Sequence, residues 1–300
     1  MRSTSTKGLN WLVENRNYFN PFINGIDEPS EKYQTALAEL ALICFRLNSR
    51  ESHGIQEYKH RMLPDQMDFL IKVIKDSYEC PALCYYPFKV DQRSISGHLI
   101  LWLLLRSLGI ETPIPKEDFQ ELISNGGIES LPRPAFRDIE LVYLLELGGF
   151  SHRLRPIHEL YGETFLAKTS ISSIRPEDIY DMTHTLFYIT DFGRFVPQYI
   201  SKSEEEKITG FLKALMIIMA DLKNWDLVSE LIISCHCLGV SEDDSINSSW
   251  NLLENVQHSS GYIPGWGFKE SCDDHTTFWR CYHPTLVTIM ADLIRESRPS

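Results

Sequence analysis

The stretch "DMTHTLFYITDFG", Asp181–Gly193, decides how this chain is read. Asp181, His184, Tyr188 and Asp191 follow the spacing i, i+3, i+7, i+10, which puts all four on one face of an α-helix. Met182, Leu186 and Ile189 take a different face. The stretch closes on Gly193, and glycine tolerates the left-handed conformation just past a helix C-terminus. The same ending recurs in "LWLLLRSLG" at Gly109, "LVYLLELG" at Gly148 and "LIISCHCLG" at Gly239, so the four glycines are 39, 45 and 46 residues apart. "LALICFRLN" ends at Asn48 in the same style. The intervals hold a second set of helical stretches, "DQMDFLIKVIKDS", "EDFQELI", "SHRLRPIHELYG" and "EEEKITGFLKALMIIMADL". A period of this length indicates stacked helix hairpins, about six of them, the last ending in "PTLVTIMADLIRES". An open α-solenoid needs polar caps at both ends, whereas a closed ring needs none. The expectation is therefore an all-α chain, a single α/α-toroid domain over residues 1–300, with an open solenoid as the alternative.

Composition narrows the function. A net charge of −12 argues against binding a phosphate backbone, which needs a basic footprint, and against an anionic membrane surface. The longest apolar run, "LILWLLL" at Leu99–Leu105, is far too short for a membrane span. The N-terminus has no continuous apolar segment of the secretory kind. Seven cysteines without such a signal read as reduced and cytoplasmic.

In a toroid, Asp181–Gly193 is the inner helix of the fourth hairpin, with its N-terminal half at the cavity mouth. Counting back nine positions from the terminal Asn48, Gly193 and Gly239 gives Glu39, His184 and Glu230. His98, Glu140, Asp181 and Asp226 lie nearby. His283 precedes Pro284, a good first residue for the last inner helix. The first candidate site is an acid/base group: His184 moves a proton, Asp181 or Asp191 orients it, and Tyr188 donates a hydrogen bond. The alternative is a buried polar network that locks helices together. Asp191 sits near a helix C-terminus, where the dipole disfavours a carboxylate, so it needs an Arg or amide partner from a neighbouring hairpin. Trp102, Tyr143, Phe187, Tyr188, Trp225, Trp250, Trp266 and Trp279 are candidates for an apolar cavity wall. A second constellation, Cys272, Asp273, Asp274, His275, Cys281 and His283, offers zinc-type ligands. Its spacing matches no standard finger, and a loop with a helix N-cap is the alternative. "CHC", Cys235–Cys237, places its cysteines on different helix faces, and Cys80 and Cys84 are too widely spaced for a redox pair.

The segments "NWLVENRNYFNPF", "YDMTHTLFYITDFG", "WDLVSELIISCHCLG" and "DDHTTFWRCYHPTLVTIMA" resemble the bacterial family catalogued as domain of unknown function 6895, and the resemblance spans nearly the whole chain. It implies a companion of biosynthetic genes and hence small-molecule or peptide tailoring. More distantly, "SSGYIPGWGFKES" and "CYHPTLVTIMADL" are similar to the terpenoid cyclase and protein prenyltransferase toroids, which maps a zinc-binding His onto His283. The protonating cyclases' Asp-x-Asp-Asp motif is missing, and "DDSIN" and "DDHTT" lack the third carboxylate of a magnesium-diphosphate motif. The expected function is cyclisation, isomerisation or a related proton transfer on a small, largely apolar or isoprenoid-like substrate. His98, Glu39, Glu230, Asp226, Trp102, Phe187, Trp266 and Trp279 line the pocket. No cofactor is required. Zinc, on Asp274, His275, Cys281 and His283, or magnesium belongs to the rival reading of a metal-dependent transferase. The other rival is a binding scaffold for a peptide or a partner biosynthetic enzyme.

Overall fold

The computed structural model describes residues 2–22, 29–48, 64–168, 174–197, 199–240, 243–270 and 273–296. Among them the regular structure is helical. In chain order the α-helices are α1 (Ser3–Glu14), α2 (Glu31–Asn48), α3 (Pro64–Tyr78), α4 (Pro81–Cys84), α5 (Tyr86–Lys89), α6 (Ile95–Ser107) and α7 (Lys116–Ser124). They continue with α8 (Ala135–Leu147), α9 (Ile157–Tyr161), α10 (Pro176–Ile189), α11 (Lys202–Asp221), α12 (Trp225–Cys237), α13 (Asp244–Val256) and α14 (Asp274–Glu296). The all-α expectation holds. No described helix is long and apolar enough to cross a membrane. The contacts divide the chain into two compact units, one of Met1–Leu9, Arg133–Tyr143 and Arg155–Ser300, the other of Asn10–Pro132 and Leu144–Leu154.

The helix ends follow the glycine pattern. Past α6, the Ile110 N–H donates to the Leu105 carbonyl and Gly109 adopts φ 71°. Past α12, Val240 donates to Cys235 and Gly239 adopts φ 88°. These six-to-one bonds satisfy carbonyls that a helix end leaves open, and they need a left-handed residue before the donor. The third ending is shifted by one position. Phe150 donates to Leu145, and the left-handed residue is Gly149 rather than Gly148. A Cβ on Gly148 would instead collide with the Phe150 ring, 2.4 Å away. The end of α10 differs again, because Asp191, Phe192 and Gly193 are left-handed in succession.

In the Asn10–Pro132 unit, α2 packs along α6, and α3 packs on α2. Helix α6 is buried from Ile95 through most of its length, the signature of a helix that is apolar all round and enclosed by neighbours. In the larger unit α12 has this role. Every residue from Leu227 to Cys237 is buried, and α12 touches α10, α11, α13 and α14. The Asn224 side chain starts this helix by accepting the Leu227 N–H.

Helix α14 departs from the sequence expectation. It does not begin at Pro284 but runs through it from Asp274. Proline has no N–H, so the Arg280 carbonyl loses its intrahelical donor. Gly265 lies against that carbonyl, and a Cβ at 265 would stand 1.9 Å from the Arg280 oxygen. Only glycine fits there, and its close approach covers the backbone that the proline leaves open.

Candidate functional site

Four side chains from three helices of the larger unit converge, two of them carboxylates. Asp226 and Glu230 are one turn apart on α12 and therefore on the same face. His184 comes from α10 and His283 from α14. The His283 Nε2 lies 3.2 Å from Asp226 Oδ1 and 3.8 Å from Glu230 Oε1. The His184 Nδ1 lies 3.9 Å from Glu230 Oε2. Glu230 is buried to 1% exposure, and a carboxylate removed from water needs positive partners or strong donors. Among the described residues, the imidazoles of His184 and His283 reach it.

The other carboxylate oxygens are held by hydroxyls of α10. Thr183 Oγ1 donates to Glu230 Oε2 at 2.5 Å, and the Tyr180 hydroxyl donates to Asp226 Oδ2. Each carboxylate thus has one oxygen fixed by a hydroxyl and the other turned toward His283. Asp226 sits in the first turn of α12, where the helix dipole favours a carboxylate.

The His184 ring has an assignable proton. Its Nδ1 is 3.0 Å from the Tyr180 carbonyl, and a carbonyl only accepts, so Nδ1 carries the hydrogen. In the neutral ring Nε2 then holds the basic lone pair, and no hydrogen bond engages it among the described residues. Thr183 Oγ1, 3.4 Å from Nδ1, bridges the ring to Glu230. The imidazole is framed by Phe187, Tyr180 and Phe136, with ring centroids 5.5, 6.0 and 6.1 Å away. Aromatic rings thus frame an imidazole whose Nδ1 edge meets Thr183 and Glu230.

The remaining sequence candidates are placed elsewhere. Asp181 accepts the Phe165 N–H at 2.9 Å and contacts the Thr185 hydroxyl. Its burial raises its pKa, but it makes no hydrogen bond to His184. Asp191 lies beyond the end of α10 at φ 47°, off the helical stripe. Its oxygens accept from the Tyr143 hydroxyl at 2.7 Å and from Arg194 at 3.1 Å. The expected Arg partner is present, but it comes from the same turn. Tyr188 is buried, packs on the Tyr143 ring and bonds to Glu140, and burial lifts its pKa well above the usual phenol value. Phe187 does stand beside His184. Trp279 packs on Phe278 and Tyr282, and its indole donates to His275 on the same helix. Trp266 is exposed, so it lines no enclosed wall.

Glu39, His98 and Trp102 belong to the other unit. The Trp102 indole donates to the Ile114 carbonyl at 3.0 Å and packs with Phe119 and Phe150. His98 donates through Nε2 to Gln34 at 3.1 Å, between Tyr78 and Tyr86. Burial holds its pKa down at about 3. Both are core side chains.

The zinc set Asp274, His275, Cys281 and His283 does not converge. All four lie on α14, and at ~1.5 Å rise per residue Asp274 and His283 are ~13 Å apart along the axis. Asp274 and His275 are exposed, while Cys281 is buried. Cys272 lies outside the described residues. Among the described residues, the group whose spacing could hold a metal ion is Asp226, Glu230 and His283, whose donor atoms all lie within 4.8 Å of one another. Sequence reading missed Tyr180 and Thr183, although their spacing of four and one residues before His184 was visible.

A family model described as domain of unknown function (DUF6895) matches residues 5–293. No curated protein matches the chain, and no solved structure does.

Proposed function

The chain belongs to the DUF6895 family, whose description carries no chemistry, so we propose a function from the site itself: proton transfer on a small, largely apolar substrate, with His184 Nε2 as the acid/base atom. One observation carries this reading. The bond from His184 Nδ1 to the Tyr180 carbonyl fixes the tautomer and leaves Nε2 as a lone-pair base among aromatic rings. Nε2 takes a proton from a C–H bond of the substrate, and the imidazolium returns it to another carbon. The first half is deprotonation, and the pair together is an isomerisation or a cyclisation. Glu230, linked to the ring edge through Thr183, stabilises the imidazolium while it exists. The substrate class is an isoprenoid-like or peptide-linked biosynthetic intermediate, matching the apolar surround. Asp181 and Asp191 take no part in the transfer.

The reading is testable without a known substrate. The protein is incubated with a metabolite extract in deuterated water, and products are read by mass spectrometry. A proton-transfer enzyme writes solvent deuterium into one or a few metabolites. In His184→Gln that label falls by at least ~100-fold, the usual contribution of a general acid/base, while circular dichroism stays unchanged. Labelling equal to a protein-free control, or unaltered in His184→Gln, refutes the reading.

A further inference from the structure

We propose that Asp226, Glu230 and His283 form a divalent metal site, occupied by a first-row transition ion of the zinc class and adjoining the His184 base. The inference places an ion beside the proposed His184 base, and it stands on its own geometry.

The donor set is one imidazole nitrogen and two carboxylate oxygens, which suits zinc and its neighbours better than magnesium or calcium, whose ligands are all oxygen. An ion bonded at ~2.0–2.2 Å has neighbouring ligand atoms separated by ~3.0 Å at a right angle and ~3.4 Å at a tetrahedral angle. The observed separations from His283 Nε2, 3.2 Å to Asp226 Oδ1 and 3.8 Å to Glu230 Oε1, bracket the tetrahedral value. The two carboxylate oxygens, within 4.8 Å of each other, would draw together to the same spacing on an ion.

The surrounding bonds fit the same role. Metal-binding carboxylates are commonly oriented by hydrogen bonds to their second oxygen. Here Tyr180 and Thr183 hold Asp226 Oδ2 and Glu230 Oε2, and the oxygens that remain face His283. An ion at that point neutralises two carboxylates, one of them buried to 1% exposure.

Three protein ligands leave a coordination position open, the pattern of catalytic rather than structural sites. His184 does not supply a fourth ligand through Nδ1, because that atom donates to the Tyr180 carbonyl. Its free Nε2 stays available as a base. The open position takes a substrate oxygen, a carbonyl or a phosphate. The ion polarises it while His184 handles the proton. The substrate class is then an apolar molecule with one oxygen anchor.

The test is titration of chelator-treated, full-length protein with zinc, followed by calorimetry, and with cobalt(II), followed by its visible absorption. Expected is one equivalent per chain, a tetrahedral-type cobalt spectrum and a raised melting temperature. In Asp226→Asn and His283→Gln, near-isosteric changes whose folding is checked by circular dichroism, affinity falls at least ~100-fold. Cys281→Ser and His275→Ala bind as the wild type does. Glu230→Gln provides a third variant should either of the first two unfold. Lack of stoichiometric binding, or binding indifferent to all three positions, overturns the inference. Deuterium labelling separates it from the proton-transfer reading. Labelling that persists in chelated protein which binds no zinc overturns the metal site alone. Stoichiometric zinc lost in these variants, without any labelling, supports the metal site and removes the proton-transfer reading.

Discussion

His98 gives the sharpest physical test, because its pH dependence has a sign and a size. Gln34 anchors the ring: its amide donates to the Pro29 carbonyl, so its oxygen faces His98 and accepts from Nε2. The Nδ1 lone pair is buried without a partner. Protonating Nδ1 places a positive charge where no acceptor meets it, so burial depresses the pKa from 6.5 to about 3. A depressed folded-state pKa means that the unfolded chain binds the proton first. Stability is complete above pH ~6.5 and is lost progressively as pH falls toward ~3. Between pH 7.5 and pH 5 the linkage relation gives a loss of about 2 kcal/mol from this residue. The assay is urea unfolding of wild type and His98→Gln at both pH values, followed by circular dichroism. Other groups titrate in both proteins and cancel in the comparison, including Asp181, whose raised pKa works in the opposite direction. Wild type should lose about 2 kcal/mol more than the variant over that range. Equal losses refute the account of His98 as a neutral core histidine and restore it as a pocket-lining candidate.

Three further outcomes follow from particular contacts. Gly265→Ala places a methyl 1.9 Å from the Arg280 oxygen, so it should cost more than about 2 kcal/mol, at the upper end of overpacking effects, read from the denaturation midpoint. Thr183→Val leaves the buried Glu230 carboxylate short of its 2.5 Å donor and should cost about 1–3 kcal/mol, with Thr183→Ser recovering most of it. Asp191→Ala removes the bonds to Tyr143 and Arg194 and leaves a left-handed alanine. It should lower stability by about 1–3 kcal/mol while deuterium labelling through His184 continues.

What the sequence disclosed depended on whether a signal was local. Helix ends are local: a glycine after an apolar run solves the open-carbonyl problem wherever it occurs, and Gly109, Gly193 and Gly239 took left-handed conformations as the repeats implied. Gly148 shows the limit, since two adjacent glycines both satisfy the pattern and only the Phe150 ring decides between them. Lys223 shows the converse, a left-handed end at φ 57° with no glycine to announce it. The site divides along the same line. Counting back an equal distance from Gly193 and Gly239 selected His184 and Glu230, and these two residues do meet. That worked because α10 and α12 pack against each other, so equal distances from similar ends bring corresponding levels together. The choice of partner failed where it assumed that a shared helix face implies a shared site. Asp181 shares α10 with His184 yet accepts from the Phe165 amide, and Asp191, spaced in sequence as if on the same stripe, lies past the helix end and bonds to Tyr143 and Arg194. The apparent zinc cluster failed for a related reason, since closeness in sequence along one helix separates side chains by the helix rise. Of that set, His283 reaches the carboxylates of α12. Asp226 and Glu230 stand one turn apart on α12 and meet a single histidine from α14, so a run of reactive residues strung along one helix is weaker evidence for chemistry than a histidine facing an acid pair on another.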